Sequence, residues 1–340
     1  MAYRLSVLDK SPVAAGESAA AALQRTLQLA QQAERWGYHR FWLAEHHNSA
    51  QLASPSPELL MAWILARTQR IRVGSGGVML QHYSPYKVAE NFNLLASLAP
   101  GRVDIGIGKA PGGLPLSTRA LQQGVDAAAK GSFAAQLRQL DNWLRAPVTP
   151  GDEETLRATP LPLRPAARFL LGASVESARL AASLGWQLVF AAHLNGDRAL
   201  MENVLNVYHK ASGQRALVAV QAVVADSPAE AELLAGALRH YHVRVEGGQS
   251  VNVASLEQAE RYVRQGGYKD YLIEPRTPSL VKGNAAQVHA QLEALHQHFA
   301  IDEFIIDTPI VEPQARLKSL ALLAAARPLT TQPATESENV

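Results

Sequence analysis

Cysteine is absent from this chain of 340 residues, which excludes disulfide bonds, thiolate catalysis and cysteine-based metal sites. Long hydrophobic runs are missing as well, and a membrane-spanning helix needs about 20 apolar residues in succession. The first residues, MAYRLSVLDKSP, lack a charged leader followed by a long apolar segment. We therefore expect no signal peptide, no membrane span and a cytoplasmic protein.

An excess of either charge is also lacking, since 32 Lys and Arg residues stand against 30 Asp and Glu residues. Without a basic excess, we expect neither nucleic acid nor a membrane surface as a partner. The chain is instead 47% hydrophobic and 18% charged. This composition is typical of a soluble protein with a large core.

Short apolar runs alternate along the chain with amphipathic segments rich in Ala and Leu. The runs predict eight strands, at 3–9, 38–45, 71–80, 102–108, 168–174, 187–193, 216–225 and 303–310. The segments between them predict helices at 18–36, 56–68, 84–98, 133–145, 175–184, 197–211, 227–242 and 313–326, with an additional helix at 284–299. Strands that alternate with helices favour parallel pairing with helices outside.

Eight such units favour an α/β fold, a (β/α)8 TIM barrel with long insertions at the C-terminal rim of the strands. The barrel would form a single domain over 1–328, followed by a disordered tail at 329–340. An open doubly wound sheet is the alternative, but no G-x-G-x-x-G motif follows the first strand. Two stretches break the alternation, 110–131 with 146–167 and 244–283, and their length predicts lids or binding loops.

The second predicted strand ends in AEHHN (44–48), at the rim where barrels of this kind place their active sites. Because side chains alternate along a strand, His46 and His47 point in opposite directions, which argues against a shared metal. One hypothesis makes an imidazole a general acid or base, and the other makes both histidines strand caps. His82 and His193 follow the third and sixth strands, which suggests that they line the same pocket.

Glycines mark the ends of the third and fourth strands, in VGSGGVML and DIGIGKAPGG. Gly76 and Gly77 would let the backbone approach a flat ligand, or they form a bulge at a barrel corner. Lys109 follows the fourth strand, where it faces either an anion or solvent.

Two serines, Ser174 and Ser177, open the helix after the fifth strand. The free amides of a helix start bind phosphate well, although a serine there often serves only as an N-cap. Arg119, in PLSTRALQ, would add a charged contact to a phosphate, or it is an ordinary surface arginine.

Three stretches in register resemble the bacterial luciferase-like flavin monooxygenases, most closely the YhbW-type branch. They are GYHRFWLAEHHN, RIRVGSGGVMLQHYSPYKVAENFNLLASLAPGRVDIGIGKAPG and LLGASVESARLAASLGW. The resemblance implies a barrel that uses reduced FMN and O2, through a peroxyflavin, to oxygenate a small organic substrate. It also implies a separate NAD(P)H:flavin reductase as the source of reduced FMN, and a homodimer formed through the helices at 56–68 and 84–98.

The resemblance also implies roles for individual residues. His46 matches the family's catalytic histidine, and Gly76–Gly77 matches a non-prolyl cis peptide beneath the flavin ring. Ser174 and Ser177 match phosphate-contacting positions.

Other positions depart from the family or match it less closely. Arg119 resembles a phosphate-binding arginine, although the loop before it is shorter here. Lys109 stands where the family usually has arginine, which keeps the charge but loses the planar guanidinium fork. Gly108 and Ala173 replace residues that light emitters carry, so we do not expect light emission.

Other functions stay open at this point. A deazaflavin-dependent oxidoreductase is one, although its acidic cofactor would need more basic residues at the rim. A non-catalytic flavin-binding protein is another, although it would not need His46. A metal-dependent hydrolase is a third, and the sequence predicts no metal site. Loop composition does not identify the substrate.

Overall fold

The computed structural model describes residues 3–145, 155–236 and 238–326. Its strands are Arg4–Asp9 (β1), Arg40–Leu43 (β2), Arg72–Ser75 (β3), Val78–Met79 (β4), Val103–Gly108 (β5), Ala167–Gly172 (β6), Gln187–Phe190 (β7), Leu217–Val224 (β8), His240–Val245 (β9), Val251–Val253 (β10), Tyr271–Arg276 (β11), Leu280–Gly283 (β12) and Glu303–Asp307 (β13). Its helices are Ala19–Arg35 (α1), Pro57–Leu65 (α2), Pro85–Leu98 (α3), Pro115–Leu121 (α4), Ala127–Lys130 (α5), Phe133–Arg145 (α6), Val175–Leu184 (α7), Arg198–Ser212 (α8), Pro228–Ala235 (α9), Leu256–Gly266 (α10), Ala285–Phe299 (α11) and Pro313–Ala325 (α12). The tail predicted at 329–340 lies outside the described residues.

Eight parallel strands close into a barrel in the order β1-β2-β3-β5-β6-β7-β8-β13, with β13 pairing back to β1. The predicted (β/α)8 TIM barrel is confirmed. Strands such as β8, LVAVQAVV, are buried at every residue, as expected where helices cover a parallel sheet. In the described part of the chain, no helix is both long and apolar enough to cross a membrane.

Local sequence sets the helix ends. The hydroxyl of Ser174 caps α7 by accepting a hydrogen bond from the amide of Ser177, and Gly185 ends the same helix with a φ of +63°. Asn284 and Gln287 form a capping box at the start of α11.

Two predicted elements differ from the structure. The strand predicted at 71–80 is divided into β3 and β4 at Gly76–Gly77. The helix predicted at 227–242 is wrong after residue 235, because Gly236 ends α9 and the alternating segment HYHVRV forms β9.

The long loop predicted at 244–283 is also wrong, because this segment is largely structured. Strands β9, β10 and β11 form a separate antiparallel sheet, and α10 packs beside it. Strand β12 then runs parallel to the second half of β8. The stretch 110–131 contains α4 and α5, whereas 146–154 lies outside the described residues.

The barrel interior has three layers. The middle one is apolar and comprises Leu8, Trp42, Ala44, Phe169, Val189, Leu217, Ala219 and Ile305. Because side chains alternate, further inward positions lie on both sides of this layer, and their mutual contacts identify them. We call the N-terminal set the lower layer; it contains Ser6, Arg40, Asp104 and Glu303. We call the C-terminal set the upper layer; it contains Lys10, His46, His193, Gln221 and Asp307.

The helices α2 and α3, which the resemblance implied as the dimer interface, pack most of their apolar side chains on the barrel. Ile64, Val88, Phe92 and Leu95 are buried against the barrel. The exposed apolar side chains on these helices are Leu59, Leu94 and Leu98.

Candidate active site

An ion pair crosses the upper layer. Lys10, which follows β1, donates from Nζ to Oδ2 of Asp307 at the end of β13, at 2.6 Å. Asp307 is buried. Burial opposes ionisation, but Lys10 and His193 lower the pKa of this carboxyl below its ordinary value.

His46 lies at the end of β2 and is half-buried. Its backbone amide donates to the carbonyl of Ser54 at 2.8 Å, which fixes the turn after the strand. Its Nδ1 atom is buried without a hydrogen-bond partner. Burial, and then the charge of Lys10, lower the pKa of this imidazole to about 4. His46 is therefore neutral near pH 7, and its unpartnered nitrogen can form a hydrogen bond with a bound molecule.

Two further imidazoles and an amide complete this cluster. His193 follows β7 and is anchored by its backbone amide, which donates to the carbonyl of Ala219 at 2.8 Å. His240 enters from β9, the first strand of the inserted sheet, and its Nε2 lies 3.3 Å from Nε2 of Gln221. Lys10 and Asp307 act electrostatically on both imidazoles.

His47 and His82 belong to a different network. Nε2 of His47 lies 2.7 Å from Oε1 of the buried Glu45. The same carboxylate accepts from the hydroxyl of Tyr83 at 2.9 Å and from the amide of Met79 at 3.0 Å. Nε2 of His82 lies 2.7 Å from the carbonyl of Pro111. The capping hypothesis for His47 fits the contact of its Nε2 atom with Glu45. Both ring nitrogens of His82 have protein partners, since its Nδ1 lies 3.2 Å from Nε2 of Gln122.

The Gly76–Gly77 peptide is cis, which is the geometry that the resemblance implied. A Cβ on Gly76 would lie 2.6 Å from Cδ1 of Leu8, and one on Gly77 would lie 2.7 Å from the carbonyl of Gly106. The packing of the barrel therefore requires glycine at position 77, where the contact is with backbone, whereas at position 76 the contact is with the end of the Leu8 side chain. A flavin ring above this peptide stays a prediction.

The residues predicted to bind phosphate lie at two places. Ser174 and Ser177 form the first turn of α7, and Lys109, which is exposed at the end of β5, acts electrostatically on Glu176 in that turn. Nη1 of Arg119, in contrast, donates to the carbonyl of Gln265 at the C-terminal end of α10, at 3.1 Å. The phosphate contacts of all four residues stay predictions.

Sequence reasoning missed four upper-layer and insert residues, namely Lys10, Gln221, His240 and Asp307. Lys10 and Asp307 were accessible from the sequence as charged residues at the ends of apolar strands, whereas Gln221 lies within an apolar run and its inward direction follows only from the barrel register. His240 was not accessible, because its segment was assigned to a helix. Among the residues that the structure describes, no group of three or more His, Asp or Glu side chains is arranged to hold a metal ion.

A family model described as luciferase-like monooxygenase matches residues 3–300. The chain belongs to this family. It is 42% identical to the N-acetyl-S-alkylcysteine monooxygenase of Bacillus subtilis (strain 168) over 334 residues, which cover 95% of this chain and 99% of the relative. The protein is therefore an enzyme of the luciferase-like monooxygenase family.

Solved structures share the same fold. The crystal structure of apo-MsnO8 is 30% identical with a TM-score of 0.75, and the match covers 95% of this chain and 97% of that one. The FMN complex of the oxygenating constituent of 3,6-diketocamphane monooxygenase from Pseudomonas putida is 18% identical with a TM-score of 0.69, over 96% of this chain and 98% of that one. An F420-dependent secondary alcohol dehydrogenase is also 18% identical, with a TM-score of 0.60 over 96% and 100%. The last two likenesses concern the fold alone.

Proposed function

We propose that this protein is an FMN-dependent monooxygenase that acts on an S-alkylated, N-acylated cysteine. One oxygen atom of O2 enters the substrate, the other leaves as water, and reduced FMN provides the two electrons. The name of the 42%-identical relative supports this substrate class. A separate NAD(P)H:flavin reductase would supply the reduced FMN, because no G-x-G-x-x-G motif follows the first strand.

The residues of the barrel mouth fit a flavin. The first turn of α7 offers free amides beside Ser174, and Lys109 adds a positive charge nearby. At the other end, a flavin ring would lie over the cis peptide of Gly76–Gly77, which follows β3 beside the strand that leads to His46. When bound, reduced FMN would supply electrons to O2, and the protein would orient the reactants and exclude water.

The observation that carries the proposal is the unpartnered, neutral imidazole of His46 on the strand beside the cis peptide. A neutral imidazole with a free nitrogen is suited to hold or move a proton at that nitrogen. Glu45 lies next to His46 in the chain and binds the amide of Met79. It therefore ties the end of β2 to the segment that follows the cis peptide.

A pair of serine variants tests the phosphate site. Ser174→Ala and Ser227→Ala each remove an N-cap hydroxyl that accepts a backbone N–H at 3.2 Å, from α7 and α9 respectively. We expect Ser174→Ala to weaken reduced-FMN binding about tenfold, the effect of one hydrogen bond to a charged group, and Ser227→Ala to leave it unchanged. Calorimetric titration under anaerobic conditions measures both. Equal affinity in the two variants would remove α7 from the flavin site.

A second experiment concerns His46 and the cofactor. With a flavin reductase present, His46→Ala should bind FMN normally but oxygenate N-acetyl-S-methylcysteine about a hundredfold more slowly, as for loss of a general acid or base. Titration with F420 in the same format tests the deazaflavin alternative. Tight binding of F420 without binding of FMN would replace the proposal by that alternative.

We also propose that the enzyme is a homodimer that buries the exposed leucines of α2 and α3. Leu59 and Leu98 are each 70% exposed, and large exposed apolar side chains on adjacent helices would be covered in such an interface. Light scattering after size-exclusion chromatography should give the mass of two chains. Leu98→Glu should give one chain, and a wild-type monomer at all concentrations would contradict the proposal.

A further inference from the structure

We propose that Gln221, His193 and His240, grouped around the Lys10–Asp307 ion pair, bind the acylamino group of the substrate. This inference rests on the proposed function, since it assigns one part of the proposed substrate to one part of the barrel mouth. The cluster joins the upper layer of the barrel to the inserted sheet, because His240 belongs to β9.

The cluster contains unpartnered polar atoms in a buried setting. Gln221, His193 and His240 are 2%, 6% and 7% exposed. Nevertheless, Oε1 of Gln221 and Nδ1 of each imidazole have no hydrogen-bond partner. Buried polar atoms in folded proteins are nearly always paired. Three unpaired atoms on adjacent side chains therefore indicate a polar group that the bound substrate provides.

The charges of the cluster favour an amide over an ion. Lys10 is neutralised by Asp307 at 2.6 Å. Burial lowers the pKa of His193 to about 4 and also lowers the pKa of His240, so both imidazoles are neutral near pH 7. The cluster therefore has no net charge with which to bind a carboxylate or an ammonium group.

A secondary amide matches the hydrogen-bonding capacity of these side chains. It has one N–H donor and one carbonyl acceptor. A neutral imidazole has one donor and one acceptor nitrogen, and a glutamine amide has both kinds of group. The acylated nitrogen and the sulfur of a cysteine are separated only by the α- and β-carbons. Anchoring the amide here would therefore also position the sulfur within the mouth of the barrel.

The substrate side of this inference is tested with wild-type protein and oxidised FMN. N-acetyl-S-methylcysteine is compared with methylthiopropionate, which keeps the thioether and carboxylate but lacks the acylamino group. We expect calorimetry to show at least about tenfold tighter binding of the N-acetyl compound. Methylthiopropionate lacks the acylamino group and would leave the buried polar groups of the cluster unpaired. S-methylcysteine, with a free ammonium group, should bind as weakly as methylthiopropionate.

The protein side is tested with Gln221→Met and His240→Phe, which keep the approximate size of each side chain. Both variants should reduce the preference for the N-acetyl compound to within about twofold. As in a double-mutant cycle, removing the acylamino group should have little further effect once its partner in the protein is already missing. Gln297→Met removes an exposed amide on α11 that donates to Glu293, and it should keep the full preference.

With wild-type protein, two outcomes would overturn the inference: equal binding of N-acetyl-S-methylcysteine and methylthiopropionate, or no binding of either compound. Unchanged preference in folded Gln221→Met would also contradict it. If both thioethers are oxygenated at equal rates, the proposed function stands and only this inference fails. If the N-acetyl compound binds selectively but no oxygenation occurs, the inference stands and the proposed function fails.

Discussion

The two ends of the barrel interior both bury charged groups, but the hydrogen bonding of these groups differs between the two ends. In the lower layer, Arg40 donates to Glu303 and to Asp104, each at 2.8 Å, and Trp42 also donates to Asp104, at 3.0 Å. The hydroxyl of Ser6 donates to Glu303 at 2.6 Å. These hydrogen bonds join the charged groups to one another, although Oε2 of Glu303 has no hydrogen-bond partner and lies 3.6 Å from Nε of Arg4.

The upper layer has one ion pair and several free atoms. Lys10 and Asp307 are paired, but His46 and His193 each have an unpartnered ring nitrogen. This difference in hydrogen bonding suggests a structural role for the lower layer and a ligand-binding role for the upper layer. In the lower layer, charge-assisted hydrogen bonds join side chains of four strands and fix the barrel. The upper layer has fewer such bonds and more unpartnered atoms, and it lies at the C-terminal rim, where active sites of this fold are usually found.

The largest effect should come from breaking the lower layer. Arg40→Met leaves the carboxylates of Asp104 and Glu303 buried without this partner, and the expected loss in the free energy of unfolding is about 3–5 kcal/mol. Arg215→Met removes an arginine that is paired with Asp302 at 2.8 Å but exposed, and should cost less than about 1 kcal/mol. Urea unfolding of both variants measures the two losses. Equal losses would remove the distinction between a structural ion network and a surface pair.

The free energy of unfolding should depend on pH through the buried histidines of the upper layer. The pKa of His193 is about 4 in the folded protein against an ordinary value of 6.5, so the unfolded chain takes up the proton first. Stability from the neutral imidazole is complete above pH 6.5 and is lost as the pH falls through about 4. The shift corresponds to about 3 kcal/mol.

The measurement is the urea midpoint of wild type and His193→Leu between pH 7.5 and pH 4. The stability of the wild type should fall more steeply, since the variant lacks this imidazole. His46, whose pKa is also lowered to about 4, adds a slope to both proteins, and most of that slope is common to them because burial and Lys10 precede His193 among the causes that lower its pKa. Parallel curves would show that His193 is already protonated or solvated in the folded state.

Much of the fold was predictable because it depends on local pattern. Each barrel strand is a short apolar run between helices, and eight such runs have few ways to pack. His46 was predictable because AEHHN interrupts an apolar strand abruptly. The cis geometry of Gly76–Gly77 came from the resemblance, since two glycines by themselves also fit a bulge.

The site residues that could not be predicted from the sequence depend on contacts between segments that are distant in the chain. Gln221 lies inside the apolar run ALVAVQAVVA, and only the barrel register shows that it faces inward beside Asp307. His240 follows an Ala- and Leu-rich helix whose composition hides the alternation of HYHVRV. Its place in the site is set by the inserted sheet, which pairs residues about 30 positions apart.

The smallest effect should come from His193→Leu at pH 7.5, and it separates the two layers most directly. The substitution nearly conserves volume and removes a buried nitrogen that has no partner, while the backbone bond to Ala219 at 2.8 Å is kept. Replacing an unsatisfied polar group by an apolar one is close to neutral, so we expect a change within about 1 kcal/mol. Urea unfolding provides the value. A loss as large as that of Arg40→Met would mean that the imidazole of His193 stabilises the folded barrel, and the upper layer would then be structural in the same sense as the lower one.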